Sequence, residues 1–328
     1  MLAIWKIAPA IACGNTIILK PADSTPLTAL RLAQTFKDVG APEGLLNVVV
    51  GLESVGKEIA NHPLIDKISF TGSPEVGAKI LAASANSNLK KVTLELGGKS
   101  PIVVFADADL DLAVEQIFGA IFANMGQNCV AGSRLYLNEK IHDEFLCLLK
   151  TRIEKVKVGD PTNSEFDFGP LVNKVQFERV MRLINVGLSS LNVDGSKLLI
   201  GGKRFGNVGY YVLPTVFYNV PESAEIATTE IFGPVLCVMK SFTDFDDVIK
   251  RANDTPYGLG AGVFTRDIGT AERFVSKVKA GTVWVNWYNN CEAYLPFGGA
   301  KGNSGIGRDL GEAAIGEFTN LKSVVYRI

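Results

Sequence analysis

From Thr16 to Ser100 short β-branched runs alternate with amphipathic stretches, the pattern of a parallel sheet with helices on its faces. Thr16 to Lys20 reads as a strand closed by Pro21. Ser24 or Thr25 then caps a helix that has Pro26 near its first turn and Leu30, Ala33 and Phe36 at helical spacing. Further strands are predicted over 46–50, 67–71 and 91–96, with helices over 54–61 and 74–85 between them. After Gly97-Gly98 a second unit begins with an apolar strand over 101–106, and a long helix from Asp107 or Asp109 runs toward Met125. Strands over 134–137, 211–213, 235–242, 262–264 and 282–286 follow, with helices over 142–156, 174–188, 244–252 and 269–278. The fold class is α/β. The tail Lys322 to Ile328 alternates apolar and polar side chains and predicts an edge strand, which would pair with another subunit or a distant sheet.

The first twelve residues are apolar, but Lys6 and Pro9 interrupt them and their flanks are not those of a signal peptide. They read as the middle of a buried helix. No stretch approaches the roughly 20 apolar residues of a membrane helix. With 328 residues and 47% hydrophobic content the chain can bury a large core divided between two domains. A formal charge of -1, with both signs interspersed, leaves no electrostatic footprint for nucleic acid or an anionic membrane. Cys13, Cys129, Cys147, Cys237 and Cys291 are odd in number and widely spaced, without a C-x-x-C, which argues against a disulfide scaffold or a zinc site and for a reducing compartment.

Gly126-Gln127-Asn128-Cys129-Val130-Ala131-Gly132-Ser133-Arg134 lies between the long apolar helix and a strand. Free cysteines are usually inert small hydrophobes, but Cys129 sits among small and polar residues, with glycines that allow close approach of backbone and ligand. A catalytic thiol needs a base or an electropositive site, and donors for developing charge. His62, in an Asn-His-Pro turn, and His142, at a helix start, read as solvated residues. Glu95 ends an otherwise apolar strand just before Gly97-Gly98, where desolvation would raise its pKa toward the range of a general base; a buried acid satisfied by backbone amides fits equally well. Glu230, beside Ile231-Phe232-Gly233-Pro234, is a second carboxylate, or a solvated loop residue. Gly51 to Gly56 and Gly72-Ser73 follow strands without forming G-x-G-x-x-G; Gly72-Ser73 could receive a phosphate or simply cap a helix. Pro296 to Arg308 carries five glycines, which predicts a backbone closely approaching something, such as the other domain.

Phe70-Thr71-Gly72-Ser73, Leu94-Glu95-Leu96-Gly97-Gly98-Lys99, Gly126-Gln127-Asn128-Cys129, Glu230-Ile231-Phe232-Gly233-Pro234 and Pro296-Phe297-Gly298-Gly299, in this order, resemble the NAD(P)-dependent aldehyde dehydrogenase superfamily. The resemblance runs the length of the chain. It implies an open parallel Rossmann-like cofactor sheet, incomplete at the amino terminus, over 1–98, a second α/β catalytic domain carrying the thiol over 99–300, and a return segment and oligomerisation tail over 301–328. It also implies Cys129 as nucleophile and Glu95 as the base that activates water. Glu230 would hold the nicotinamide ribose and Phe232 would pack near the nicotinamide. Gly72, Ser73 and Val76 would line the phosphate and adenosine path, Lys20 and Asp23 the adenosine ribose, with Leu96 among the cofactor contacts; Trp5 and Phe297 would wall the aldehyde tunnel.

By the same resemblance the reaction is oxidation of an aldehyde to its carboxylic acid with NAD. Glu95 speaks against the coenzyme A-acylating branch, and acidic Asp23 at the ribose favours NAD over NADP. No metal is implied. The partners implied are a small-molecule aldehyde and copies of the same chain in a homodimer or homotetramer, with no nucleic acid or membrane, and the place is the cytoplasm. Departures remain. The family's oxyanion-hole asparagine precedes the segment matching Met1 to Lys6, so the chain resembles an amino-terminally truncated member, with the Cys129 amide as its main oxyanion donor. The loop from Gly51 to Gly56 is a residue short and Lys301 to Ser304 a residue long. Two rival expectations are a catalytically silent homologue serving assembly and a thiol-dependent acyltransferase or esterase without a dinucleotide.

Overall fold

The computed structural model describes residues 1–191 and 193–328 and divides into two compact units. One comprises Met1–Leu96, Cys291–Gly298 and Gly305–Ile328, the other Gly97–Asn290 and Gly299–Ser304. The first unit opens with α1 (Leu2–Ala12), β1 (Ile17–Leu19), α2 (Leu27–Asp38), β2 (Leu46–Val48), α3 (Glu53–Asn61), β3 (Lys67–Thr71), α4 (Pro74–Ala85) and β4 (Lys91–Glu95). β1 pairs in parallel with β2, and β3 with β4 from Lys67↔Lys91 to Thr71↔Glu95. Each pair is bridged by a helix, as a parallel crossover requires. The N-cap of α2 is Pro26, with no side-chain bond, where Ser24 or Thr25 was expected. Ser73 does cap α4, its hydroxyl accepting from the Val76 amide at 3.4 Å.

The second unit runs through β5 (Pro101–Val104), α5 (Leu110–Phe122), β6 (Arg134–Leu137), α6 (His142–Glu154), α7 (Lys174–Ser189), β7 (Lys197–Ile200), β8 (Thr215–Val220), α8 (Glu225–Thr228), β9 (Val235–Met239), α9 (Phe245–Asn253), β10 (Gly260–Phe264), α10 (Ile268–Lys277) and β11 (Thr282–Val285). Its seven strands lie in the order β11-β10-β5-β6-β9-β8-β7, parallel except for β7 against β8. β5, β6, β9 and β10 are buried at every position, which is why they read as continuous apolar runs rather than alternations. Val103, Tyr136, Phe217, Val235 and Phe274 belong to the core on this sheet.

The chain then returns to the first unit. There β12 (Gly305–Ile306) pairs antiparallel with β4, Gly305 opposite Glu95, and α11 (Gly311–Glu317) follows. The strand predicted over 211–213 is absent: Val212 makes one isolated bridge to Arg204, and the true strand starts at Thr215, after Pro214, which lacks the ladder N–H. The tail predicted as an edge strand carries no regular element over 319–328, and Leu321, Val325, Tyr326 and Ile328 are exposed. A strand exists only as one side of a ladder, and among the described residues the tail pairs with none. Among the described residues no helix is long and apolar enough to cross a membrane.

Candidate active site

In the second unit α5 ends in an unusual turn. Asn124, Met125 and Gly126 have φ of 52°, 56° and 66° in succession, a left-handed run that costs L-residues with side chains roughly 1 kcal/mol or more each. Glycine is required at the last of these, because a Cβ on Gly126 would collide with the carbonyl of Gly233. The turn closes through Gln127 N–H to the Asn124 carbonyl at 3.1 Å and Asn124 Nδ2 to the Gln127 carbonyl at 2.9 Å. It delivers Cys129, which is partly buried, onto a fixed frame. The Asn128 side chain accepts from the Val130 amide at 3.2 Å and donates to Asn289 Oδ1 at 3.3 Å. Tyr288 Oη donates to the Val130 carbonyl at 2.8 Å.

Gly97-Gly98 tie this loop to Glu230. The Gly98 amide donates to Glu230 Oε1 at 2.8 Å. A Cβ on Gly97 would meet the same carboxylate, and one on Gly98 would meet the Cys129 carbonyl. Two residues without side chains therefore hold two candidate site residues against one piece of backbone. Ser304 Oγ fixes that backbone from behind, donating to the Gly97 carbonyl at 2.7 Å and accepting from the Gly258 amide at 2.9 Å.

The loop bearing Glu230 and Phe232 is held by α7. Arg179 Nη2 donates to the Glu230 carbonyl at 2.7 Å, and Gln176 Nε2 to those of Ile231 and Phe232 at 3.1 and 2.8 Å. Gln176 and Arg179 stand at i, i+3 on one helix face, so three consecutive carbonyls are satisfied. This holds Phe232 at φ 57° with the residue 37% exposed, accessible to a ligand rather than packed away. Neither residue was singled out from the sequence; their polar i, i+3 spacing near the start of a helix was the available signal.

Lys99 is fully buried, and burial pushes its ammonium pKa down, opposed chiefly by Cys237 and reinforced by Arg134. Arg134, at the end of the thiol loop, is also buried. It spends its donors on the Lys99, Arg251 and Ala252 carbonyls and the Tyr136 hydroxyl, so it is a structural cation.

In the first unit, Lys20, Gly72-Ser73 and Glu95-Leu96 lie at the carboxyl ends of β1, β3 and β4, the edge at which open parallel sheets receive nucleotides. Gly72, Ser73 and Val76 are exposed at the start of α4, where amides can meet a phosphate. Leu96 is buried, and a Cβ on Gly77 of α4 would come 2.9 Å from its Cδ2; Leu96 thus seats the helix. Asp23 is exposed, and Lys20 Nζ donates to the Pro21 carbonyl at 3.2 Å. Glu95 is 3% exposed, so its carboxylate is desolvated as its position on an apolar strand predicts. Trp5 and Phe297 meet edge to face at 5.1 Å. Phe297 and Asp309 exchange backbone bonds at 2.7 and 2.8 Å, and Asp309 pairs with Lys6 at 2.7 Å. The glycines of 296–308 also find their reason: Gly305 lies against the Leu94 carbonyl, and a Cβ on Gly298 would stand 2.7 Å from that of Gly307.

Residues 1–324 match the aldehyde dehydrogenase family. This chain belongs to the aldehyde dehydrogenase family. Among curated relatives it is 51% identical to aldehyde dehydrogenase 1A1 of Mesocricetus auratus and to cytosolic aldehyde dehydrogenase 1 of Rattus norvegicus, over 100% of this chain and 64% of each of those proteins. Among solved structures it resembles the NAD+ complex of aldehyde dehydrogenase from Bacillus cereus, with a TM-score of 0.95 and 45% identity over 98% of this chain and 65% of that one. The chain therefore spans about two thirds of the length of these aldehyde dehydrogenases.

Proposed function

We propose that the protein carrying this chain oxidises an aldehyde to its carboxylic acid with NAD as acceptor. The reading is carried by the frame at Gly98, whose amide binds Glu230 and whose Cα abuts the carbonyl of Cys129, in a chain of this family. Cys129 is the nucleophile: its thiolate adds to the aldehyde carbon, and the oxyanion needs donors preorganised toward it, such as the Cys129 amide. Bound NAD supplies the acceptor for the hydride that leaves when this adduct collapses to a thioester. Glu95 then takes a proton from water, which attacks the thioester and frees the acid and the thiolate. Glu230 and Phe232 would hold the nicotinamide ribose and ring, Lys20 and Asp23 the adenosine ribose, and Gly72, Ser73, Val76 and Leu96 the path between. Their placement at strand ends and a helix start is supporting chemistry for a dinucleotide, and acidic Asp23 favours NAD over NADP. Trp5 and Phe297 would wall the aldehyde's approach. Function would be cytoplasmic, in a dimer or tetramer.

The test is turnover of NAD with a simple aldehyde by wild-type protein, Cys129→Ser and Glu95→Gln. Cys129→Ser is expected to lose all reduction of NAD, and Glu95→Gln to give one equivalent of NADH and then stall as the thioester. Multiple turnovers by Cys129→Ser would sink the mechanism.

A further inference from the structure

The polar groups beside Cys129 decide how its thiol sits. Asn128 Oδ1 accepts from the Val130 amide at 3.2 Å and lies 3.8 Å from Cys129 Sγ, which donates to it weakly. On its other side Asn128 Nδ2 donates to Asn289 Oδ1 at 3.3 Å. The backbone fixes which way round the Asn128 amide is. A main-chain N–H is a donor only, so an oxygen must face Val130, and the nitrogen is left for Asn289. Turning the amide over would set N–H against N–H at Val130 and oxygen against oxygen at Asn289.

Asn289 is itself held in place. It lies in the segment after β11, where the Tyr288 amide donates to Gln116 Oε1 at 3.1 Å and Trp284 Nε1 to the Asn290 carbonyl at 2.8 Å. Gln116 belongs to α5, the helix that leads into the thiol loop, and Tyr288 Oη reaches the Val130 carbonyl of that loop. The backbone of Asn289 is left-handed, with φ 62°, a conformation that asparagine tolerates better than most residues. The position suits asparagine twice, by its backbone and by the acceptor it offers to Asn128.

We propose that Asn289 is a positioning residue that, through Asn128, keeps the Cys129 thiol protonated and turned toward its own loop. The proposal rests on the reading of Cys129 as the nucleophile. An amide oxygen accepts from a thiol but repels a thiolate, so the oriented Asn128 carbonyl favours the S–H form. The thiolate is the form that attacks a carbonyl or an alkylating agent, and it is also the form that peroxide oxidises. Asn289 therefore sets how much reactive sulfur the protein carries before a substrate arrives, without touching the reacting atoms.

The test follows alkylation of Cys129 by iodoacetamide from about pH 6 to about pH 10 by peptide mass mapping, with aldehyde-dependent reduction of NAD measured on the same samples. Asn289→Gly removes the acceptor and keeps the left-handed backbone. Alkylation at neutral pH should rise about fivefold and its profile move to lower pH. Asn289→Asp keeps the acceptor and makes it charged, so alkylation should slow about fivefold and the profile move to higher pH. A merely loosened loop would move both variants the same way. Asn128→Ala deletes the oxygen that faces the sulfur and keeps the test open should Asn289→Gly fold poorly. It should match Asn289→Gly, and combining the two should add nothing further. Profiles that stay unchanged or move the same way in both Asn289 variants, or effects that add in the double variant, overturn the role of Asn289 alone, provided alkylation of Cys129 still abolishes turnover. Turnover that survives alkylation of Cys129 overturns the reading of the nucleophile and this proposal with it.

Discussion

The Cα of Gly98 lies against the carbonyl oxygen of Cys129, leaving no room for a side chain. Because the obstacle is backbone, a methyl group there cannot be accommodated by a rotamer change. Gly98→Ala should lose about 1–3 kcal/mol of stability, visible in urea denaturation. It should also slow alkylation of Cys129, since the displaced loop carries the thiol with it. Unchanged stability together with unchanged alkylation would contradict the contact.

The cysteines should divide by reactivity. Cys237 is fully buried, its thiol is pushed up by burial and it donates to the Ile226 carbonyl at 3.2 Å, which suppresses the thiolate that reacts. Native iodoacetamide treatment with peptide mass mapping should modify Cys129 and the exposed Cys147 and leave Cys237 untouched. Loss of aldehyde turnover should follow Cys129 and persist in a Cys147→Ser background.

Arg179 and Gln176 satisfy the carbonyls of residues 230–232. Arg179→Ala or Gln176→Ala should each cost about 1 kcal/mol of stability. Under the proposed function each should also raise KM for NAD about tenfold while changing kcat less, because these side chains orient the cofactor's ligands and not the thiol. Steady-state kinetics with varied NAD checks the split.

Lys67 makes stability depend on pH in a definite direction. Its folded pKa of about 8 is below the ordinary 10.5, so between these values the unfolded chain binds more protons and stability rises with pH. The cost of burying the ammonium is fully present below pH 8 and relieved above 10.5. Relative to Lys67→Met, wild type should therefore gain on the order of 1–2 kcal/mol across that window, a figure reduced for solvent screening at a partly exposed site. Denaturant melts of both proteins at the two ends of the window measure it.

Most of the α/β order was legible because buried parallel strands carry dense apolar runs and their helices carry a 3.6-residue period. β3 and α4 came out with their observed limits for that reason. The misses have local causes. Pro214 moved a strand past the apolar triplet at 211–213, and β12 is two residues long, too short for any periodicity. The motif residues were legible as motifs, whereas their supports were not: Gln176, Arg179 and Ser304 act through backbone carbonyls far away in sequence, and no local pattern announces such a partner.

The pairing of Gly305 with Glu95 also bears on biosynthesis. A ribosome delivers residues 97–290 before it delivers the strand that completes the sheet edge beside Glu95, so the seven-stranded unit is available to condense while β4 still lacks a neighbour on one side. Domains generally fold as they emerge, from the amino end onward; here the leading segment must wait for the trailing one. The carboxylate read as the hydrolytic base would thus be among the last groups set in place, and a nascent chain could expose its thiol without yet being able to turn over.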